Sequence, residues 1–455
     1  MFEASEPFVF FDYFRVPYRV EGGGSGSGRL GFVRGAHGSL IWPREGLHPP
    51  APYELRGIPL YCGVLPDQTA AAWLGAGWGR AEPLTGAESA AAIWRDGDGN
   101  VFLPFDPGEA IRSFWSESYQ PAGGRRQLAT RAYYRLRPAL PRRLQIWLRR
   151  RFSVVQARRK FPRWPLETAL HDLYGFLFDE VRALADEPVP SIAPWPNGAT
   201  WALVLTHDVE TAAGYRSIHL LRDVELGAGF RSSWNLVPKR YEVDDEVVRE
   251  LLDLGFEIGV HGLYHDGRDL ESRPTLQERL PEIRRHAERW HAIGFRAPAT
   301  QRNWELMPLL GFEYDSSYPD TDPFEPQSGG CCSVLPYFNE GLLELPITLP
   351  QDHTLFVILG HTSEAIWVEK AAAIRKAGGM ALLITHPDYM GDPSMVALYE
   401  RFLVHFAADP TVWRALPREV SAWWRQRAAS HLERAGDGWT IVGPAAVSGA
   451  ISLAS

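Results

Sequence analysis

Short apolar runs alternate with helical segments over the second half of the chain. The runs lie at 201–208, 231–238, 256–262, 295–300, 313–317, 342–347 and 381–386. Between them, stretches such as DDEVVRELLDLG and AIWVEKAAAIRKAGG place apolar residues at helical spacing, and the second of these ends in the glycine typical of helix C-termini. Alternating strands and helices predict a parallel sheet, either closed as a barrel or open and doubly wound.

The rest of the chain is less regular. Residues 1–125 combine short apolar runs with many Gly and Pro residues, including the loop-like Gly-Ser tract at 22–28, and predict a separate loop-rich α+β domain. Residues 126–195 predict a helical, Arg-rich connector that ends in the Pro-rich segment EPVPSIAPWPNG. A barrel domain follows at 196–430, and residues 431–455 alternate enough to form a β-like tail.

The Arg-rich segment, RRQLATRAYYRLRPALPRRLQIWLRRRF, has two interpretations. It could bind an anionic partner such as a phosphate, a lipid head group at a membrane surface or an acidic sugar polymer. Alternatively, Leu144, Trp147 and Leu148 pack on a neighbouring domain. We favour the connector, because Pro138 and Pro141 interrupt the helical pattern and the whole chain is acidic.

Composition narrows the class of protein. A chain of 455 residues with 45% hydrophobic positions is a folded protein of two or three domains, and its net charge of −8 excludes a generally basic nucleic-acid binder. Three cysteines, Cys62, Cys331 and Cys332, cannot build a disulfide framework and predict a reducing compartment. The N-terminus lacks the pattern of a secretory signal, and no apolar window reaches 18 residues. We therefore expect a cytoplasmic protein without a transmembrane segment.

Chemically reactive side chains fall at the ends of the apolar runs. They are Asp208 and Glu210, His261 and His265, Arg296, Asp315, and His386. In β/α barrels the carboxyl ends of the strands converge on one cavity, so these side chains are expected to face one mouth.

The stretch FEIGVHGLYHDG indicates a metal site. His261 ends an apolar strand and His265 follows one turn later, so both imidazoles can face one cation. A divalent ion held by two imidazoles and a carboxylate keeps positions open for water and for a substrate carbonyl, which is the requirement for hydrolysing an amide. His386, from the opposite side of the mouth, is placed to protonate the departing nitrogen.

Together, THDVE, HGLYHDG, RAP and ITHPD resemble the motifs of polysaccharide deacetylases with a NodB-type catalytic domain, the carbohydrate esterase family 4 enzymes. The order and spacing match over about residues 196–430. The resemblance implies a distorted seven-stranded β/α barrel, which agrees with the seven runs. The first motif departs from the usual Thr-Phe-Asp-Asp, because Val209 stands where the metal-binding Asp normally lies, and an Asp-x-Asp branch of the family is more similar.

By this resemblance Asp208 is the general base, and Glu210 is a metal ligand together with His261 and His265. The alternative, in which Asp208 ligates the ion, stays open because Glu is one methylene longer than Asp. The resemblance also implies that Arg296, in Arg-Ala-Pro, holds the Asp208 carboxylate and keeps it ionised.

These inferences predict a metal-dependent hydrolase of C–N amide bonds, with N-deacetylation of an N-acetylated sugar in a glycan or glycan precursor as the main hypothesis. Zn²⁺ is the expected ion, with Co²⁺ or Ni²⁺ as alternatives. Two other hypotheses remain: an amidohydrolase of a small linear or cyclic amide, and a catalytically inactive glycan-binding or scaffold protein.

Other polar residues near the runs are weaker candidates. His207 lies beside Asp208 on the strand, so alternation predicts that it faces the opposite way and packs. Asp315, in EYDSS, fits either a site role or a turn. Asp352, His353 and His361 follow the sixth run and could line the cleft.

Overall fold

The computed structural model describes residues 1–21, 28–86, 90–120 and 142–454, which form two compact units. The first unit contains the described residues of Met1–Gln120 together with Thr168–Gly198 and Arg425–Ser455. The second contains residues 142–167 and Ala199–Trp424. The Gly-Ser tract at 22–28, for which we expected a loop, lies almost wholly outside the described residues.

The first unit is built on a mixed seven-stranded sheet. Its elements within the first 120 residues are β1 (Phe2–Ala4), α1 (Val9–Phe14), β2 (Tyr18–Val20), β3 (Leu30–Gly35), β4 (Gly38–Pro43), β5 (Ala51–Leu55), β6 (Ile58–Cys62), α2 (Asp67–Leu74), β7 (Gly79–Leu84), β8 (Ala91–Arg95), β9 (Val101–Phe102) and α3 (Pro107–Trp115). The strand order is β2-β1-β3-β4-β9-β8-β7, and β5 and β6 form a separate hairpin. The unit contains both helices and strands, and the separate N-terminal α+β domain stays a prediction.

The middle of the chain is divided between the two units. It contains α4 (Arg142–Gln156) in the second unit, and α5 (Ala169–Leu184) and β10 (Val189–Ile192) in the first. Helix α5 belongs with the N-terminal sheet because its aromatic residues pack there: Tyr174 stacks on Tyr13, and Phe178 contacts Phe10 edge-on. The units therefore do not follow the expected boundaries at 125, 195 and 430.

Helix α4 begins directly after Pro141, which is where the sequence predicted an interruption. The expectation that its apolar residues pack on a neighbouring domain is wrong for two of them, because Leu144 and Trp147 are exposed. Instead, Arg149 and Arg150 of α4 donate hydrogen bonds to backbone carbonyls in the rest of the second unit.

The second unit contains every strand that the seven apolar runs predicted. Its elements are β11 (Trp201–Val209), α6 (Ala212–Arg216), α7 (Ile218–Ala228), β12 (Ser233–Leu236), α8 (Asp245–Asp253), β13 (Glu257–Val260), α9 (Arg273–Trp290), β14 (Gly294–Phe295), β15 (Tyr314–Asp315), β16 (Tyr337–Asn339), β17 (Leu342–Glu344), α10 (Ala365–Lys376), β18 (Met380–Thr385), α11 (Pro393–Ala407), β19 (Val412–Ala415) and the start of α12 (Pro417–Ala428). The chain then returns to the first unit with β20 (His431–Ala435), β21 (Gly438–Val442) and β22 (Ile451–Ala454).

The seven predicted strands pair in parallel in the order β17-β15-β14-β13-β12-β11-β18. Two further strands extend the sheet: β16 pairs antiparallel with β17, and β19 pairs with the first half of β11. Leu349, after β17, donates its N–H to the Leu382 carbonyl of β18 at 2.9 Å, so the sheet curls toward closure. No ladder joins these two strands among the described residues, so the closed barrel stays a prediction.

Strand β11 is the longest strand of the sheet, and all nine of its residues are buried. Alternation places Thr206 and Asp208 on one face and His207 on the other. As predicted, His207 packs away from Asp208: its Nδ1 lies 2.7 Å from Thr385 Oγ1 and its Nε2 lies 2.6 Å from Glu225 Oε1.

Glu225 of α7 contacts three buried polar side chains. Besides its contact with His207, its carboxylate accepts hydrogen bonds from Ser232 and Tyr399. We expect Glu225→Ala to lower the free energy of unfolding of the second unit by about 3 kcal/mol, because three polar groups then stay buried without a partner. Urea unfolding followed by circular dichroism measures the change. Glu250→Ala, which removes a carboxylate exposed by 53% and paired with Arg222, is the matched control and should cost little. Equal midpoints for the two variants would contradict the assignment.

None of the helices in the described ranges has the length and apolar character needed to cross a membrane.

Candidate active site

Asp208 lies at the carboxyl end of β11, and its side chain is buried at the floor of the site. Asn235 of β12 donates its Nδ2–H to Asp208 Oδ1 at 2.8 Å, and Arg296 Nη1 donates to both carboxylate oxygens at 3.4 Å. Burial alone raises the pKa of Asp208, but the Arg296 guanidinium, the protonated His386 and the Asn235 hydrogen bond outweigh it, so the net pKa lies below its ordinary value. The carboxylate is therefore ionised at neutral pH.

Arg296, directly after β14, holds two parts of the site in place. Its Nη2 donates to Ser316 Oγ at 2.9 Å and to Thr206 Oγ1 at 3.3 Å, which fixes the guanidinium beside Asp208. Its backbone carbonyl accepts a hydrogen bond from His261 Nδ1 at 3.0 Å. Because that bond keeps the proton on Nδ1, the lone pair of His261 Nε2 is directed away from the backbone.

Glu210, His261 and His265 each offer a donor atom to one common position. These three donor atoms lie within 4.8 Å of one another, and Glu210 Oε1 is 2.9 Å from His265 Nε2. Burial lowers the pKa of His261 to about 4, so its ring is neutral at neutral pH. Burial acts to raise the pKa of Glu210, but neighbouring His265 and His386 hold it well below its ordinary value. Two imidazoles and a carboxylate are a donor set that suits a divalent ion such as Zn²⁺.

Two local features shape the loop that carries these donors. His265 adopts a φ of 56°, in the left-handed region that non-glycine residues seldom enter. Gly262 has a φ of 63°, and a Cβ there would lie 2.5 Å from Asp269 and 2.7 Å from Pro298. The loop therefore needs a glycine after His261 and turns sharply enough to bring His265 back to the first imidazole.

Arg240 contacts the second imidazole from outside. Its Nη1 lies 2.6 Å from His265 Nδ1, and since arginine only donates, Nδ1 accepts and the proton of the neutral ring is on Nε2. For His265 Nε2 to bind an ion, that proton must leave Nε2 and Arg240 must withdraw from Nδ1. His261 and Glu210 need no such change.

His386 follows β18 and faces Glu210 from the other side of the mouth. Its Nε2 lies 3.9 Å from Glu210 Oε1, and its Nδ1 lies 2.6 Å from Asp352 Oδ1. Asp352 Oδ2 also accepts the backbone N–H of His386 at 2.8 Å. Burial works to lower the pKa of His386, but the charge and hydrogen bond of Asp352 raise it to about 10. The imidazole is therefore protonated at neutral pH, with Nε2–H directed into the site.

The structure brings together all six residues that the sequence analysis selected. Neighbouring pairs among them lie within 4 Å of each other, at the carboxyl ends of the strands; the residues are Asp208, Glu210, His261, His265, Arg296 and His386. Sequence reasoning missed Asn235 and Arg240, and it ranked Asp352 no higher than its neighbours. Asn235 is the polar residue nearest the carboxyl end of the run RSSWNLVP, and this position is the signal that would have found it.

The weaker candidate residues from the sequence analysis lie outside the group of potential metal ligands. Asp315 is fully buried and accepts a hydrogen bond from Ser317 Oγ at 3.0 Å, and burial raises its pKa to about 6 beside Glu344. His353 stacks on Tyr389, and His361 is exposed. None of these three side chains contacts the Glu210, His261 and His265 group.

Searches for related proteins give a mixed result. A scan against protein-family models and a search of curated proteins give no match. Among solved structures, the chain is similar to a putative polysaccharide deacetylase from Mycobacterium smegmatis, with 20% identity, 54% of this chain and 96% of that chain covered, and a TM-score of 0.44. The chain is also similar to a probable polysaccharide deacetylase from Pseudomonas aeruginosa PAO1, with 19% identity, 51% of this chain and 94% of that chain covered, and a TM-score of 0.43. A third similar structure is Puue allantoinase, with 18% identity, 51% of this chain and 93% of that chain covered, and a TM-score of 0.42.

Proposed function

We propose that this chain is a metal-dependent hydrolase that removes acetyl groups from N-acetylated sugars in a glycan or glycan precursor. The observation that carries the proposal is the placement of an ionised carboxylate and a protonated imidazole on opposite sides of one potential ion site. Asp208 Oδ2 lies 3.8 Å from His261 Nε2, and His386 Nε2 lies 3.9 Å from Glu210 Oε1. Hydrolysis of an amide needs both a base and an acid at these places.

Asp208 acts as the general base. The attacking water gives a proton to the Asp208 carboxylate as its oxygen bonds to the acetyl carbon. Arg296 and Asn235 hold that carboxylate in place, and they keep it ionised before the reaction.

His386 acts as the general acid. As the C–N bond breaks, its Nε2–H is donated to the nitrogen, so the sugar leaves as a neutral amine and the acetyl group leaves as acetic acid, which ionises to acetate in water. Asp352 fixes the ring orientation and stabilises its protonated form. The proton taken up by Asp208 and the one lost by His386 balance over a turnover.

Glu210, His261 and His265 would hold the divalent ion. When bound, Zn²⁺ supplies a lower pKa for a water ligand and a polarised substrate carbonyl. The Asp388 carboxylate accepts the Glu210 N–H at 3.0 Å and thereby fixes the backbone that carries this ligand.

Acetate release tests the proposal. The full chain, loaded with Zn²⁺, should release acetate from N-acetylglucosamine oligomers of one to six sugars, EDTA should stop the release, and Zn²⁺ or Co²⁺ should restore it. His261→Ala should lose both turnover and bound metal, whereas the exposed His219→Ala is the matched control and should keep both. Full activity after EDTA dialysis, or in His261→Ala, would overturn the mechanism. Hydrolysis of small linear or cyclic amides but of no oligomer would replace the sugar substrate with a small amide.

A further inference from the structure

Helix α4 presents an apolar face to solvent. Leu144, Trp147, Val154 and Val155 share one side of the helix by their spacing, and their exposed fractions run from 40% to 59%. These four residues, called here the outer face of α4, include one of the large aromatic side chains that soluble proteins usually bury.

The opposite face of α4 is polar, and it is the face that packs on the protein. Ser153 and Gln156 are buried, and Arg149 donates to the Phe324 carbonyl at 3.1 Å. Arg150 donates from two nitrogens to the Val357 carbonyl at 3.1 and 2.9 Å. A helix on a soluble protein normally buries its apolar side and exposes its polar side. In α4 the arrangement is reversed, so the outer face is not used for the protein's own core.

The charge of α4 is opposite to that of the chain. The segment Arg142–Gln156 contains five arginines and no acidic residue, whereas the chain as a whole has a net charge of −8. Arg151 lies over the Trp147 ring at 5.5 Å, so a cationic group is directly beside the exposed aromatic ring. A partner for this face must accept apolar side chains and carry negative charge nearby.

We propose that the outer face of α4 binds the surface of an anionic lipid bilayer, with the helix lying in the plane of the interface. Trp147 and the aliphatic residues enter the boundary between head groups and acyl chains, and Arg151, beside the Trp147 ring, pairs with a lipid phosphate, whereas Arg149 and Arg150 keep the helix on the protein. A folded protein surface would accept the apolar stripe without requiring this excess of arginines, and a nucleic acid would pair with the arginines but would leave Val154 and Val155 in water. This inference does not depend on the proposed hydrolase activity.

Vesicle flotation of the full chain tests this proposal. The native protein should float with vesicles of equal parts phosphatidylcholine and phosphatidylglycerol, and much less with phosphatidylcholine alone. Trp147→Ser should weaken binding to the anionic vesicles by about tenfold, since it removes one interfacial aromatic anchor. Arg151→Gln should also weaken it, and added salt should weaken the native protein's binding.

Val404→Ser is the matched control, because Val404 is 62% exposed on α11, away from this helix. It should bind vesicles like the native protein. All of these positions are at the surface, so unfolding midpoints should stay native and exclude misfolding as a cause. Absence of binding to anionic vesicles, or equal binding by native protein and Trp147→Ser, would overturn the proposal. A dimer in sedimentation velocity that Trp147→Ser dissociates, without vesicle binding, would assign the face to a second copy of this chain.

Discussion

Replacing Asp208 with Asn should lower kcat for acetate release by about 10³-fold, because the amide cannot accept the proton of the attacking water. Bound metal should stay at the native level in this variant, since Glu210, His261 and His265 form the set of close donors and Asp208 is held by Asn235 and Arg296. Steady-state kinetics and elemental analysis on the same preparation measure the two quantities.

A companion variant resolves which carboxylate binds the ion. Glu210→Gln should lose metal as well as turnover, because the amide is a much poorer ligand than the carboxylate. The opposite pattern, with metal lost in Asp208→Asn and kept in Glu210→Gln, would exchange the two roles. Asp244→Asn is the matched control: Asp244 accepts the Glu246 N–H at the start of α8, and asparagine caps a helix equally well. That control should keep native kcat and native metal content.

The sequence predicted the parallel strands well because their signal is local. Each of the seven runs is apolar over a few residues and is followed by a turn or a helix, and this pattern survives even where the strand has only two residues, as in β14 and β15. The antiparallel β16 was missed because Tyr337–Asn339 lies in a polar, turn-rich segment. Strand β10 pairs with β22, some 260 residues later, and no local pattern specifies a partner at that distance.

The same reasoning explains which parts of the site the sequence predicted. Asp208, His261, Arg296 and His386 end or directly follow their strands, so strand direction alone brings them to one edge of the sheet. Asp352 comes several residues after β17, and the path of that loop decides whether it reaches His386. Arg240 likewise reaches His265 from the loop after β12. Side-chain contacts made by loops depend on tertiary packing, which periodicity does not report.

The direction in which α4 faces is the least predictable feature. Its sequence shows helical spacing of apolar residues, and a pattern of this kind usually marks a buried face. Backbone carbonyls of Phe324 and Val357 accept hydrogen bonds from its arginines, so the polar side is the one that is held. Hydrophobic periodicity identifies the two faces of a helix but does not determine which of them contacts the protein.

Asp352→Asn should move the alkaline limit of activity to lower pH, with a loss of kcat of about tenfold at pH 9 and a much smaller loss at neutral pH. The pKa of His386 is raised to about 10 although burial works against it, and Asp352 is the largest cause of that rise. Without the carboxylate charge, the desolvation caused by burial is less strongly opposed, and the pKa of His386 falls. The acid form then disappears at a lower pH, so the lost activity should return in part as the pH decreases.

The pH dependence of kcat from pH 5 to pH 10 measures this shift, with metal content determined at each end. Asp392→Asn is the matched control, because Asp392 only accepts the Ser394 N–H at the start of α11 and asparagine fills that role. A lower kcat with an unmoved alkaline limit would mean that Asp352 orients the ring without setting its protonation. Native kcat and a native profile in Asp352→Asn would remove His386 from the role of general acid, since the contact at 2.6 Å is the one that keeps its proton.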